Sequence, residues 1–276
     1  MTGRLIQFML CATILFGLGV AGAEARRGGV EAAPYRGTYE MSMRRADPTT
    51  GIHGASGQMT MEWMDVCEGY TLNQRIMTEL IFREGENMVT DLRVSTWESR
   101  NGKKFRFSYH NYVNGEPAEV SQGEAERNGD GSGQADYKWP QGKEAQFPPG
   151  TVFPTAHGRE VVRAARAGRR SFSRIVFDGA PDGALYRAVA FIGDKRRAER
   201  TAGRADPPWK RTLDKLDSWP VIVSYYRVGD SSEMPEYEFS YRLYENGVND
   251  QLLMDYGDMV FEASLAGLVL YDSPGC

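Results

Sequence analysis

Apolar and polar residues alternate at every second position along most of the chain. Tyr39, Met41 and Met43 lie on one side of such a run, and Glu40 and Ser42 lie between them. Successive side chains of a β-strand point to opposite faces of its sheet, whereas a helix repeats about every 3.6 residues. The pattern therefore predicts half-buried strands.

The same two-residue period recurs in segments separated by turn dipeptides such as Asn101-Gly102 and Asn246-Gly247, which favour short antiparallel connections. The further predicted strands are residues 59–63, 70–82, 88–98, 103–112, 119–127, 134–139, 171–178, 184–192, 221–228, 236–244, 251–256 and 259–271. We therefore expect a mainly β protein, built as one large antiparallel meander.

One segment departs from this period and predicts a helix over Ala156–Ala167. Thr155 precedes it as a capping residue, and Gly168 follows it as a terminator. Its apolar side is narrow, so the helix covers only a modest patch and is expected to plug or flank the curved sheet. That side consists of Val161, Val162 and Ala165.

The first residues predict an export signal. A positive start is followed by an apolar run from Leu5 to Val20 and by the small residues Ala21-Gly22-Ala23. This order is typical of a cleaved signal peptide, and we place it at residues 1–23. The alternative is a retained membrane anchor, for which the run is short. We expect a periplasmic protein with one domain over residues 34–276 and no transmembrane segment after cleavage.

Export changes the interpretation of the three cysteines. Cys11 lies within the predicted signal, so the exported chain retains Cys67 and Cys276. Disulfides form and persist in oxidising compartments, and we predict that these two thiols are joined. The alternative is two buried, unpaired cysteines.

Charge limits the choice of partners. The chain has 33 basic and 37 acidic residues and a net charge of −4, which argues against nucleic acid as the main partner. Residues 194–209 form a locally basic stretch, for which there are two interpretations. The first is a contact with anionic lipid headgroups or an acidic partner, and the second is a solvated loop. We favour the loop. The basic residues are Lys195, Arg196, Arg197, Arg200 and Arg204.

The sequence contains no recognisable catalytic, metal or cofactor motif. His53, His110 and His157 lie far apart and lack neighbours at metal-ligand spacing. His157 is expected to serve as a hydrogen-bonding element at the start of the helix. Residues 128–133 alternate oxygen-bearing side chains but lack the terminal Glu of a calcium loop, so we interpret them as a turn. No catalytic carboxylate pair stands out among Glu62, Asp65, Glu68 and Glu79.

Several separated motifs, in order, resemble the EipB family of secreted alphaproteobacterial proteins. They are Cys67-Glu68-Gly69-Tyr70, Gln74-Arg75, residues 148–157 (PPGTVFPTAH), Val176-Phe177-Asp178-Gly179 and the terminal Cys276. The resemblance covers residues 34–276. It implies a periplasmic β-spiral that coils into an open, barrel-like shape around a helix, with its two cysteines bridged. It further implies a shape similar to lipoprotein carriers, a role in envelope integrity and stress resistance, links to a periplasmic tetratricopeptide-repeat protein, and no established reaction.

We therefore expect a non-enzymatic protein that supports the envelope, either by holding an apolar or lipid-like ligand in its curved sheet or by scaffolding a partner. A hydrolase acting on cell-wall glycan or lipid is a weaker alternative, which requires His157 to be exposed beside an acid. The same apolar residues that would line a ligand site would also fill an ordinary core. The candidate lining residues are Met41, Met43, Met59, Met61, Trp63, Phe105, Phe107, Tyr109, Phe191 and Phe239.

Overall fold

A computed structural model describes residues 33–198, 206–274 and 276 of the chain. The predicted signal peptide with Cys11, and Arg200 and Arg204 of the basic stretch, lie outside the described residues.

The described residues form one sheet of fifteen strands, which confirms the predicted antiparallel meander. Every neighbouring pair is antiparallel except the pair of β9 with β10, which is parallel. The strands are β1 Tyr35–Ala46, β2 Ile52–Asp65, β3 Gly69–Phe82, β4 Met88–Ser99, β5 Lys104–Val113, β6 Glu116–Arg127, β7 Gly133–Trp139, β8 Glu144–Phe147, β9 Thr151–Val152, β10 Ser171–Phe177, β11 Leu185–Ile192, β12 Ser218–Arg227, β13 Tyr237–Tyr244, β14 Asn249–Asp255 and β15 Met259–Leu270.

The spatial order of the strands brings both ends of the sheet together. It runs from β8 back to β1, then from β15 back to β9, so β1 pairs with both β2 and β15. The two edge strands β8 and β9 are consecutive in the chain and only three residues apart. The Phe147 ring of β8 packs 4.6 Å from the Phe177 ring of β10. The sheet is therefore coiled and nearly closed.

The short strands β8 and β9 were not predicted, because four and two residues are too few to show a period. A short helix, α2 (Pro208–Leu213), begins in the last two residues of the stretch predicted as a loop, residues 194–209, and continues beyond it. Its Pro208 occupies the first helical turn, the position in which proline favours a helix.

The predicted helix is present as α1 (Pro154–Arg166), but its cap differs from the prediction. Phe153 occupies the N-cap without a side-chain hydrogen bond, and Thr155 lies inside the first turn. Instead, the Glu98 carboxylate of β4 accepts hydrogen bonds from the backbone N–H groups of Thr155 (2.8 Å) and Ala156 (3.1 Å). The prediction of a Thr155 cap is wrong because a distant carboxylate satisfies these donors.

The buried side of α1 includes the predicted Val161, Val162 and Ala165, and it packs against β10 and β11. The first turn of α1 reaches the opposite part of the sheet through Glu98 of β4, and the Arg159 guanidinium lies 4.8 Å from the Tyr70 ring of β3. The helix thus spans the opening between the two halves of the coiled sheet.

The loop between β10 and β11, residues 178–184, inserts into the inner face of β5–β7. Its backbone carbonyls accept hydrogen bonds from Ser121 (2.9 Å) and Tyr137 (2.7 Å), and the Tyr109 hydroxyl donates to the carbonyl of Asp178. Gly179 has φ of 86°, and a Cβ on it would lie 2.4 Å from Cγ of Phe107. Both conditions require glycine at this point.

A disulfide joins Cys67, in the turn between β2 and β3, to Cys276 beyond β15. The Cys67 backbone N–H donates to Asp65 (3.0 Å), and Arg100 donates to the carbonyl of Cys67 and to Asp65. The bridge therefore links the end of the chain to a turn that is already held by hydrogen bonds.

We expect Gly179→Ala to lower the free energy of unfolding by about 2 kcal/mol or more, because it combines an unfavourable φ with a clash against the Phe107 ring. Gly229→Ala is the matched control, since Gly229 has φ of 88° and nothing lies within 4 Å of its Cβ position. Urea unfolding of both variants measures the difference, and equal losses would contradict the close approach at Gly179.

We expect Cys67→Ala, Cys276→Ala and the double variant to lose the same stability, because each removes the same covalent link. The closed loop of 209 residues corresponds to about 5 kcal/mol on the loop-entropy relation. Reductant should lower the unfolding midpoint of the wild type alone. A wild type that is insensitive to reductant, with two titratable thiols in the folded state, would refute the bridge.

Candidate functional site

Eight of the ten candidate lining residues point into the coiled sheet and are buried. Met43 is partly buried against the same core. Phe191 is the exception and corrects the prediction: it lies on the outer face with 52% of its surface exposed. The inward residues of β11 are Tyr186, Ala188, Ala190 and Ile192, so Phe191 shares the outward face of the charged Arg187. The eight buried residues are Met41, Met59, Met61, Trp63, Phe105, Phe107, Tyr109 and Phe239.

The inward side chains pack against one another. All eight except Met41 have 2% or less of their surface exposed. The Phe105 ring lies 5.1 Å from Phe153, and the Phe107 ring lies 5.1 Å from Tyr137. These residues therefore form core contacts in this conformation, and their use as a ligand lining stays a prediction.

Two buried ionisable groups lie at the start of α1, and burial shifts both toward their neutral forms. Burial raises the pKa of Glu98 to about 7, against the opposing effect of the Thr155 and Ala156 N–H groups and of Arg127 and Arg159. Burial also lowers the pKa of His157 to about 4, with a further contribution from Arg174.

His157 does not act as the expected hydrogen-bonding cap. Among the described residues, neither of its ring nitrogens has a hydrogen-bond partner, and 1% of its surface is exposed. Its ring packs 5.7 Å from Phe172 instead. The hydrolase alternative required an exposed His157, so the structure offers it no support here.

The outer face of the sheet carries a polar groove that the sequence analysis missed. It consists of two adjoining depressions of about 420 and 340 Å³ that share Asn73, Ser95 and Ser108. We call their union the outer trough. Its outward-facing lining residues are Arg36, Thr60, Glu62, Thr71, Asn73, Arg75, Arg93, Ser95, Trp97, Arg106, Ser108, His110, Gln122, Glu124 and Lys138.

Strand register explains the shape of the outer trough. The middle row consists of directly opposed residues with short or uncharged side chains on four adjacent strands: Asn73, Ser95, Ser108 and Gln122. Longer side chains stand in the rows on either side. The small middle row is therefore a floor between two walls.

The first wall contains Arg75, Arg93 and His110, which are directly opposed on β3, β4 and β5. Asp91 holds both guanidiniums: Arg75 donates Nε and Nη2 at 2.8 Å each, and Arg93 donates Nη2 at 2.7 Å. The Arg75 hydrogen bonds, and then those of Arg93, lower the pKa of the Asp91 carboxyl. Tyr112 supports the wall, because the Arg93 guanidinium lies 4.8 Å from its ring.

The second wall contains Trp97, Arg106, Glu124 and Lys138. The Arg106 guanidinium lies 4.5 Å from the Trp97 ring, and Lys138 Nζ donates to Glu124 at 2.7 Å. These contacts limit the motion of long side chains that would otherwise sample many rotamers. Both walls are therefore partly ordered without a ligand.

The described residues contain no group of three or more His, Cys, Asp or Glu side chains arranged to hold a metal ion. Within the same residues, no helix has the length and apolar character needed to cross a membrane.

We expect Glu98→Gln to flatten the pH dependence of stability. The folded-state pKa of Glu98 is raised, so its stabilising contribution is full below pH 4.5 and is lost as the pH rises through about 7. Gln retains an oxygen acceptor for the helix N–H groups and never ionises. Relative to the wild type, the variant should therefore gain on the order of 3 kcal/mol between pH 4.5 and pH 8.5.

Urea unfolding at a series of pH values measures this difference, with exposed Glu126→Gln as the surface-carboxylate control. A constant gap between the wild type and Glu98→Gln across this range would show that Glu98 is not buried as a neutral acid.

Comparison with known proteins places the fold in a family. The family model described as EipB-like matches residues 26–272. The chain is 32% identical over 270 residues to the cell envelope integrity protein EipB of Brucella abortus (strain 2308), covering 95% of this chain and 92% of that protein. It is also similar to the crystal structure of a β-barrel-like protein of a domain of unknown function from Brucella abortus, with a TM-score of 0.79, 30% identity, and coverage of 88% of this chain and all of that one. The chain belongs to the EipB-like family.

Proposed function

We propose that this protein supports the integrity of the cell envelope as a periplasmic, non-catalytic binding protein. Membership of the EipB-like family and similarity to a protein named for cell envelope integrity support the envelope role. The signal-like first residues and the Cys67–Cys276 disulfide support a location outside the reducing cytosol.

The contrast between the two faces of the sheet is the observation that supports a binding role for the outer face. The inward residues are packed against protein, whereas the outer trough is open and lined by ordered polar side chains. Ligand sites combine a concave shape with a few placed polar groups. The outer trough has both properties.

The acidic groups of the outer trough already take part in ion pairs and hydrogen bonds, which supports a non-catalytic role. Asp91 is held by two guanidiniums, Glu124 by Lys138, and Glu62 accepts a hydrogen bond from Tyr271 at 3.3 Å. Glu98 and His157 are buried away from the outer trough. A general base works best with a pKa near the operating pH, whereas hydrogen bonds from Arg75 and from Lys138 lower the pKa of the Asp91 and Glu124 carboxyls.

Deletion of the gene in the organism that encodes it tests the envelope role. We expect the deletion strain to become more sensitive to detergent and to cell-wall antibiotics, because an envelope-supporting binding protein is lost. The full chain should restore resistance, and a chain lacking residues 1–23 should fail to do so. Unchanged sensitivity, or rescue by the truncated chain, would contradict the role or the location.

An apolar ligand within the coiled sheet and a tetratricopeptide-repeat partner stay predictions. Solvent extraction of protein purified from its own periplasm, followed by mass spectrometry, tests the first. Crosslinking in cells tests the second. Neither outcome changes the deletion phenotype, so these measurements separate the envelope role from its mechanism.

A further inference from the structure

The outer trough has the length of an extended chain rather than of a single small molecule. Its middle row continues onto β2, where Glu62 lies opposite Asn73, so the extended row crosses five adjacent strands as far as Gln122 on β6. Neighbouring strands lie about 4.8 Å apart, so four spacings give a row of about 19 Å. A ligand that follows the row lies across the strands and meets one side chain from each.

The floor offers hydroxyl and amide groups, which both donate and accept hydrogen bonds. Asn73, Ser95, Ser108 and Gln122 supply them, and Ser95 Oγ donates to Asn73 Oδ1 at 2.8 Å. Side chains with both functions match a ligand that also has both functions at short intervals. A polyhydroxylated chain has this chemistry.

The outer trough has an excess of positive charge. Around it, Arg36, Arg75, Arg93, Arg106 and Lys138 outnumber the carboxylates of Glu62, Asp91 and Glu124. This excess is local, because the whole chain has a net charge of −4. Asp91 accepts from the Nε and Nη2 groups of both Arg75 and Arg93, so a ligand anion meets their Nη1 groups. Because these guanidiniums are already oriented, they bind a carboxylate or phosphate with little loss of side-chain entropy.

A peptide fits this surface less well. Extended peptides are usually bound by adding a strand to a sheet edge, where main-chain groups are free. The outer trough lies on the face of strands whose main-chain groups already pair with both neighbours. Recognition here depends on side chains alone, and these carry the complement of sugar hydroxyls and acidic groups.

We propose, on the basis of the envelope-binding function above, that the outer trough binds an anionic saccharide chain. Its carboxylate or phosphate groups lie on Arg75 and Arg93, and its hydroxyl groups lie on the floor of Asn73, Ser95 and Ser108.

Titration calorimetry with hexagalacturonate, which has one carboxylate per sugar, tests the proposal. The wild type should bind it and should bind neutral maltohexaose at least about tenfold more weakly, because the guanidiniums lose their anionic partners. Hexa-aspartate, which has the same charge without the sugar hydroxyls, should also bind at least about tenfold more weakly. Pyrophosphate should compete with hexagalacturonate if phosphate is recognised by the same guanidiniums.

Two variants locate the site while keeping the Arg75–Asp91 ion pair. Arg93→Gln removes one guanidinium, and Ser95→Phe fills the floor without changing charge; each should weaken hexagalacturonate binding by about tenfold or more. The matched controls lie on the other half of the sheet. Arg187→Gln removes an exposed arginine that likewise lies over a tyrosine ring, Tyr226 at 5.1 Å, and Ser240→Phe enlarges an outward serine of β13.

Unchanged circular dichroism and melting temperature confirm that each variant is folded before it is titrated. Absence of hexagalacturonate binding, equal binding of hexa-aspartate, or equal weakening by Arg187→Gln would overturn the saccharide assignment. The deletion strain is scored independently of these titrations. A strain with a clear envelope defect, whose protein binds no hexagalacturonate, would refute this inference and leave the envelope role intact.

Discussion

The pairing of the first strand with the last is the contact on which the rest of the structure depends. β1 forms ladders with β15 on one side and β2 on the other, so one strand joins the two halves of the sheet. Tyr35 lies opposite both Leu270 and Trp63. Two further links reinforce this order: the backbone N–H of Tyr271 donates to the carbonyl of Pro34, and the disulfide ties Cys276 to the turn after β2. The entropy cost of pairing β1 with β15 grows only slowly with the length of the chain between them, so a pairing this distant in sequence is still compatible with a stable fold.

Coiling around this central pairing gives the two faces of the sheet different roles. The inner face encloses aromatic side chains from distant strands, helped by α1 and by the inserted loop 178–184. The outer face keeps the polar half of each alternating strand. On the outer face, a row of small side chains on adjacent strands leaves the outer trough between longer ones, and this is the surface to which we assign the proposed recognition.

Glu98 of β4, at the start of α1, is a buried acid whose ionisation is subject to two opposing effects. Glu98 reaches the first turn of the helix, where unsatisfied N–H groups and the helix dipole favour a negative charge, while burial favours the neutral form. Nearby His157 is held neutral by the same low-polarity surroundings. Both groups are therefore structural. They lie where α1 spans the opening between the two halves of the sheet, and neither is exposed to solvent.

The sequence by itself determined the strand content, the helix and the position of the two cysteines, because each has a local signal. A two-residue period marks every long strand, and a break in that period marks α1. The two-residue period also indicates an outward Phe191, because the charged Arg187 of the same strand shares its phase, and the prediction of an inward Phe191 missed this signal. No local signal could detect the Glu98 cap, which joins residues 57 positions apart.

Only the tertiary structure decided the pairing of β1 with β15, the packed interior and the outer trough. Asn73, Ser95 and Ser108 are ordinary outward residues within their own strands, and they form a floor only because register places them side by side. Arg75 shares Asp91 with Arg93 only because register places β3 Arg75 beside these two residues of β4. Pairing across strands is a long-range property, and a one-residue change of register would move every one of these side chains to the other face.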